Sequence, residues 1–354
     1  MEEPRLKILG LMSGTSLDGL DLALCSFSEE NGSWQYNIDT AETLPYSLEW
    51  MTRLQQIEQL SALDLTQLDL DYGHYLGNSA REFLKTANLK ADYIASHGHT
   101  VFHRPELGLT LQIGSGALLS ASSGLPVVCD FRTQDVGMGG QGAPLVPLGD
   151  ALLFGAYDYC LNLGGFSNIS FRQGNERLAF DISPCNIVLN TLARKAGHDY
   201  DAGGKIAASG KVNSELLERL NSLDFYKMKG PKSLGREWVE SVIFPLLEEY
   251  ALPIADLLRT YVEHISDKIA AATQLEGSGQ VLTSGGGAKN DFLIQRIQEK
   301  TDSRLIIPDL LCLDFKEALI FAFLGLLRIQ GRNNILSAVT GSKADHCGGC
   351  IYLP

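Results

Sequence analysis

Leu6-Lys7-Ile8-Leu9-Gly10-Leu11-Met12, then Ser13-Gly14-Thr15-Ser16-Leu17-Asp18-Gly19, then Leu20-Asp21-Leu22-Ala23-Leu24-Cys25-Ser26-Phe27 is the stretch on which the fold turns. Two apolar runs flank a polar tip bounded by glycines, the pattern of a β-hairpin. Gly14 and Gly19 permit close backbone approach to a ligand, and Thr15 and Ser16 add hydroxyl donors suited to phosphate oxygens. Asp18 and Asp21 would repel a phosphate unless a divalent cation lay between, reached through water. A tight hairpin that only uses turn chemistry is the plainer alternative.

The same plan recurs further along. Tyr159-Cys160-Leu161-Asn162-Leu163, Gly164-Gly165 and Phe166-Ser167-Asn168-Ile169-Ser170-Phe171 again read as strand, glycine tip, strand, near the start of the second half. Such spacing suggests a duplicated architecture rather than short repeats. A third segment, Gln280 to Ser284 followed by Gly285-Gly286-Gly287, delivers a strand to a helix expected from about Lys289 to Lys300, a place for an anion or a nucleotide's sugar edge. Amphipathic helices are expected over 62–86, 186–196, 214–221, 236–250, 255–274 and 315–329, alternating with short apolar strands, which gives an α/β class.

Composition narrows the partners. The chain has 354 residues, 45% apolar and 20% charged, a length that usually splits into two domains. Its net charge of -13 disfavours nucleic acid and anionic membranes, so any phosphate ligand must be met locally by backbone N–H groups, a cation or a few placed basic residues. Seven scattered cysteines do not form a secreted framework, the N-terminus lacks a signal peptide's basic region, and the longest apolar stretch, 318–327, is too short for a span; a cytoplasmic protein is expected.

Asp181, in Phe180-Asp181-Ile182-Ser183-Pro184-Cys185-Asn186, stands on a strand-to-helix edge, where it can act as a general base or merely cap the helix. His97, His99 and His103, on one face of an extended strand, suggest substrate hydrogen bonding or a structural role more than zinc. Gly137 to Gly142 matches a dinucleotide fingerprint in form only, since prolines follow instead of a helix; it reads as a flexible or ligand-approaching loop and a domain crossing. Cys347 and Cys350 form an incomplete metal or redox pair.

Gly10 to Asp21, Asp130-Phe131-Arg132, Gly139 to Pro147, Leu161 to Gly165, Lys232 to Glu237, Gly285 to Asn290 and Lys316 to Leu319 together resemble the anhydro-N-acetylmuramic acid kinases, almost from end to end. The resemblance implies two actin-like (ribonuclease H-like) domains flanking an ATP-binding cleft, over 1–133 with about 338–354 and over about 134–337. It implies ATP and Mg²⁺ as cofactors and a small-molecule sugar as substrate, whose 1,6-anhydro bridge is opened by water while O6 takes the γ-phosphate. Asp181 maps onto the family's catalytic base. Gly14, Thr15, Ser16, Leu17, Asp18, Gly19, Leu20, Asp21, Gly164, Gly165, Gly285, Gly286, Gly287 and Asn290 would hold the nucleotide, Asp18 the metal through water, and His97, His99, Arg132 and Glu317 the sugar. A homodimer is compatible with this reading. Three places depart from the family pattern: Ile182-Ser183-Pro184-Cys185 where Thr-Gly-Pro-Gly is usual, His99 where glutamine is usual, and Gly149-Asp150 where an aromatic and a histidine are common. A kinase for another small sugar, or an ATP switch protein of the same fold, are the alternatives.

Overall fold

The computed structural model describes residues 6–14, 17–228, 230 and 232–354. The chain divides into two compact units, Met1–Leu153 with Phe315–Pro354 (unit 1) and Phe154–Asp314 (unit 2).

In unit 1, β1 (Leu6–Ser13) pairs antiparallel with β2 (Gly19–Glu30), Ser13 opposite Leu20, and β2 with β3 (Ser33–Pro45). The helix Ala62–Ala87, capped at its start by Ser61 Oγ and stopped by Asn88 at φ 53°, carries the chain to β4 (Tyr93–Ser96), parallel to β1. β5 (His99–Arg104) and β6 (Leu109–Ile113) form a small separate hairpin, and β7 (Val127–Cys129) lies parallel beside β4. In unit 2, β8 (Tyr159–Leu163), β9 (Phe166–Gln173) and β10 (Glu176–Pro184) make an antiparallel meander. After a run of helices, β11 (Gln280–Ser284) lies parallel to β8, and β12 (Arg304–Ile306) parallel to β11. β13 (Cys350–Tyr352) returns to unit 1 as an antiparallel edge on β7.

The sheet orders are β3-β2-β1-β4-β7, extended by β13, and β10-β9-β8-β11-β12. Each runs third-second-first-fourth-fifth in its own chain order, with an antiparallel first half and a parallel second half. One winding used twice is the actin-like, ribonuclease H-like α/β architecture that the paired hairpins pointed to. Each sheet carries its own core. Leu9, Leu22, Tyr72, Leu76 and Ile94 are buried together in unit 1, and Leu161, Ile169, Val188, Tyr261, Ile265 and Val281 in unit 2.

Two expectations meet a physical obstacle. The helix expected over 236–250 breaks into Arg236–Trp238, a π-turn Val239–Ile243 and Phe244–Glu248, because Pro245 lacks an N–H and crowds the carbonyl a turn earlier. The unit edges fall at 153/154 and 314/315, not at 133/134 and 337/338. Buried Asp135 accounts for the first edge, since its Oδ1 accepts from Thr340 Oγ1 at 2.8 Å and its Oδ2 from Gly142 N–H at 2.7 Å, which ties the segment 134–153 to the C-terminal part of unit 1. At the later edge, Phe315 (φ -114°, ψ 17°) kinks the helix Leu310–Ile329 where a helix start was expected. Among the described residues, no helix is long and apolar enough to cross a membrane.

Candidate active site

In unit 2 three turns meet at the carboxyl ends of parallel β8 and β11, where ligands of open α/β sheets collect. Gly164 O accepts from Asn186 N–H at 3.1 Å, and Gly165 O from the N–H groups of Cys185 (2.8 Å) and Ile187 (3.2 Å). Asn186 Nδ2 donates to Leu163 O at 2.9 Å. The hairpin tip is thereby pinned to the start of the helix Asn186–Lys195. Gly285 sits at φ +83°, a conformation open to glycine, and a Cβ there would lie 2.9 Å from Leu163 O. A Cβ at Gly287 would meet Leu163 Cβ at 2.8 Å, whereas nothing stands within 4 Å of one at Gly165. The result is a backbone shelf, packed beneath and open above at Gly165. Asn290 Oδ1 caps the helix Asp291–Gln298 by accepting from Leu293 N–H at 3.0 Å.

Asp181 lies on β10 where the register with β9 slips between Asp181 and Ser183. The bulge re-aims the strand end next to the Gly164–Gly165 tip. A strap of chain holds the residue: Asp181 N–H donates to Lys232 O (2.9 Å), and Leu234 N–H donates to Asp181 Oδ2 (2.8 Å). The other carboxylate oxygen has no hydrogen bond among the described residues. Burial pushes the Asp181 carboxyl above the usual carboxylate range, with the Leu234 N–H opposing. The side chain is therefore a stronger base than an exposed aspartate, oriented through one oxygen with the other open. It does not cap the helix that follows.

The unusual residues after Asp181 turn inward. Ile182 is 4% exposed, Ser183 and Cys185 are wholly buried, and Ser183 Oγ lies 2.9 Å from Ser167 Oγ. Their departure from the family pattern alters packing under the site. Likewise Asp150 is buried and ion-paired with buried Lys316 at 2.7 Å.

In unit 1, Leu17 turns at φ 60° and Leu17 N–H points to Gly14 O at 3.4 Å; Thr15 and Ser16 lie outside the described residues. Gly19 and Leu20 are buried as β2 begins, Asp18 is exposed at the tip, and Asp21 Oδ1 accepts from Thr43 Oγ1 at 2.5 Å. The histidines do not share a face. Gly98, at φ +73°, ends the strand between His97 and His99, and a bulge between Thr100 and Phe102 reverses the alternation before His103. His99 Nδ1 lies 2.9 Å from Ser13 Oγ, which lies 2.7 Å from Tyr46 OH, itself 2.6 Å from Tyr72 OH. His103 turns to Thr110 Oγ1 at 3.1 Å. His97 Nε2 accepts from Arg132 Nε at 3.1 Å and Nη2 at 2.8 Å, and Arg132 Nη1 donates to Gly142 O at 2.6 Å. Gly137 to Gly142 is thus a loop wrapped on Asp135, with its Gly142 carbonyl spent on Arg132.

The electrostatics of this network are those of neutral imidazoles. Burial lowers His99 to about 4, and burial with the Arg132 charge drives His97 well down. Burial takes Arg132 down to about 10 and lifts the Glu317 carboxyl, whose nearby charges are Lys316, Arg132 and Asp150. Among the described residues, no group of three or more His, Cys, Asp and Glu side chains could cage a metal. Asp18 and Asp21 instead offer hard carboxylate oxygens beside a glycine tip, which suits Mg²⁺ held largely by water and substrate phosphates. Cys347 and Cys350 are free thiols.

Sequence reasoning passed over Asn186, the Leu234 N–H and Asp135. Asn186 and Leu234 stand inside motifs already named and Asp135 just before one, but each works through a partner distant in the chain: Leu163 O, the Asp181 carboxylate and Thr340 Oγ1.

Twin 3-2-1-4-5 sheets, each with glycine tips at its strand ends, define a protein of the actin-like α/β class. More particularly, the chain belongs to the anhydro-N-acetylmuramic acid kinase family, whose model matches residues 6–354. It is similar to the anhydro-N-acetylmuramic acid kinases of Vibrio cholerae (32% identical, 98% of each chain), Microcystis aeruginosa (34%, 98% of this chain and 99% of the relative) and Pseudomonas putida (35%, 97% and 98%).

Proposed function

We infer that this chain is an ATP-dependent kinase that opens 1,6-anhydro-N-acetylmuramic acid with water and phosphorylates it at O6. The product is N-acetylmuramic acid 6-phosphate, and the reaction belongs to peptidoglycan recycling. The observation that carries the reading is Asp181, bulged off β10, fixed by Leu234 N–H through one oxygen and left open at the other.

Asp181 takes the proton of a water that attacks C1, and the C1–O6 bond breaks as charge of oxocarbenium character develops at C1. The freed O6 attacks the γ-phosphorus, so its developing charge passes to phosphorus and ADP leaves; no general acid is required at O6. In unit 2 the backbone shelf Gly164–Gly165 and Gly285–Gly287 is assigned to the nucleotide, and in unit 1 Gly14, Asp18, Gly19 and Asp21 are. Bound Mg²⁺ would neutralise phosphate charge, with Asp18 holding it through water. Arg132, His97, His99 and Glu317 are the sugar-side residues, with His97 and His99 acting as neutral hydrogen-bonding groups. The acidic chain fits a cytoplasmic enzyme on small molecules, alone or as a homodimer.

The test is turnover in ¹⁸O water with ATP and the anhydro sugar, followed by the mass of the phosphorylated product. One ¹⁸O at C1 and sugar-dependent ADP release are expected. Product without label, or ATP turnover indifferent to the sugar, would overturn the reading.

A further inference from the structure

Unit 2 holds a second concave site that this chemistry does not use. A cavity of about 510 Å³ opens beside β10, within the size range of small-ligand pockets. Phe180 and Ile182 line it, whereas Asp181 between them does not. Phe171 and Tyr226 extend its apolar, aromatic wall, and Lys232 and Lys268 enter it.

The two lysines are the informative groups. Lys232 Nζ donates to Phe225 O (3.0 Å) and Met228 O (3.3 Å) and lies 4.4 Å from the Phe225 ring centre. Lys268 Nζ donates to Asn221 O at 2.9 Å and lies 4.6 Å from the Tyr226 ring centre. Both are half-buried, and neither is ion-paired with a carboxylate among the described residues. An ammonium has three donors, so Lys232 keeps one to offer and Lys268 two. Burial lowers both pKa values, and for Lys268 the charge of Lys232 adds to the lowering. Neighbouring Asp267 raises it but is taken up by Lys300 at 2.6 Å. Glu276, also lining the cavity, accepts from Gln173 at 2.5 Å. Elsewhere in the same unit the pattern is different: Arg296 and Lys300 are each neutralised by Glu263, at 2.7 and 2.6 Å. Two partly desolvated cations with no direct ion pair, set in an apolar wall that carries Glu276 at its edge, are complementary to an anion with an apolar body.

We propose that this cavity binds a small amphipathic carboxylate, its chain on Phe171 and Phe180 and its head on Lys232 and Lys268. The site is connected to Asp181, because the Lys232 carbonyl and the Leu234 N–H are the two groups that hold it. An occupant bonded to Lys232 therefore bears on the strap that aims the base. That consequence rests on the reading of Asp181 given above; binding itself does not.

The experiment is calorimetric titration of the full-length protein, without nucleotide or sugar, by octanoate and separately by 1-octanol. Saturable one-site binding of octanoate is expected, with octanol at least tenfold weaker. Lys268→Met should weaken octanoate at least tenfold. Ala271→Trp, at an exposed helix position lining the cavity, should abolish binding by filling it. No saturable binding, equal affinity for octanol, or octanoate affinity unmoved by Ala271→Trp would each overturn the proposal. Should Lys268→Met fail to fold, the octanol comparison and Ala271→Trp decide it.

Discussion

The two hairpin tips occupy the same place in the duplicated winding, yet they are built on opposite principles. The tip between β1 and β2 carries acids, Asp18 exposed and Asp21 held by Thr43, and its neighbourhood in unit 1 is a buried relay of neutral groups through Ser13, His99, Tyr46 and Tyr72. The tip between β8 and β9 has no charge and is nailed to a helix start by Asn186, while the ionisable group stands one strand away at Asp181. What separates them is the third strand. Its partner register slips at Asp181, and a strap from 232 to 234 fixes the carboxylate there. One scaffold thus supports an acid-bearing tip in one copy and an uncharged tip with its acid on the third strand in the other, without changing strand order.

The sharpest way to break the comparison is to remove the base. Asp181→Asn keeps the Leu234 N–H contact and the fold, and turnover should fall by about 10²–10⁴-fold while ATP affinity stays near the parent value. A variant that retains activity would take the base away from unit 2. Next in size is the shelf. Gly285→Ala forces a side chain into φ +83° against Leu163, and the ATP KM should rise by roughly 10²-fold, equivalent to about 2–3 kcal/mol, with less effect on the sugar KM. Equal effects on both substrates would mean that the turn is scaffold only.

These two differ in how readable they were. The hairpins, the α/β class and the duplication were legible because strand patterns and glycine tips are local. Asp181 was legible as a strand-end acid, but that it does not cap the following helix was not; its carboxylate is taken by the Leu234 N–H, which is far away in the chain. The histidine face failed for the same reason in miniature, because Gly98 and the bulge before Phe102 reset the alternation that placed three rings together. The earlier domain edge was hidden by Asp135, a buried acid that looked like an ordinary residue before a glycine run. Long-range pairing of backbone groups leaves little trace in composition or spacing.

Asp135 offers the third test. Asp135→Asn turns one acceptor for Gly142 N–H and Thr340 into a donor, which loosens the Gly142 carbonyl that Arg132 uses. A leftover buried mismatch of about 1 kcal/mol should raise the sugar KM roughly fivefold and leave ATP KM alone. Unchanged sugar KM would detach Arg132 from the substrate.

The smallest effect concerns protons and belongs to unit 1. His99 titrates at about 4 when folded against 6.5 as a free imidazole, so between those values the unfolded chain binds the extra proton. Its contribution to stability is whole above about pH 6.5 and is lost progressively as pH falls toward about 4. At about pH 5.5 the loss from His99 is about 1 kcal/mol. His97 acts in the same direction, whereas the raised carboxyls of Asp181 and Glu317 act oppositely, gaining stability as they protonate. Comparing variant and parent at each pH removes those shared terms. His99→Gln keeps a hydrogen-bonding group beside Ser13 but cannot titrate, so its Tm should decline less than the parent's between pH 7 and 5. Parallel Tm curves would mean that the imidazole is not held neutral, and the contrast between a neutral relay in unit 1 and a titrating base in unit 2 would fall.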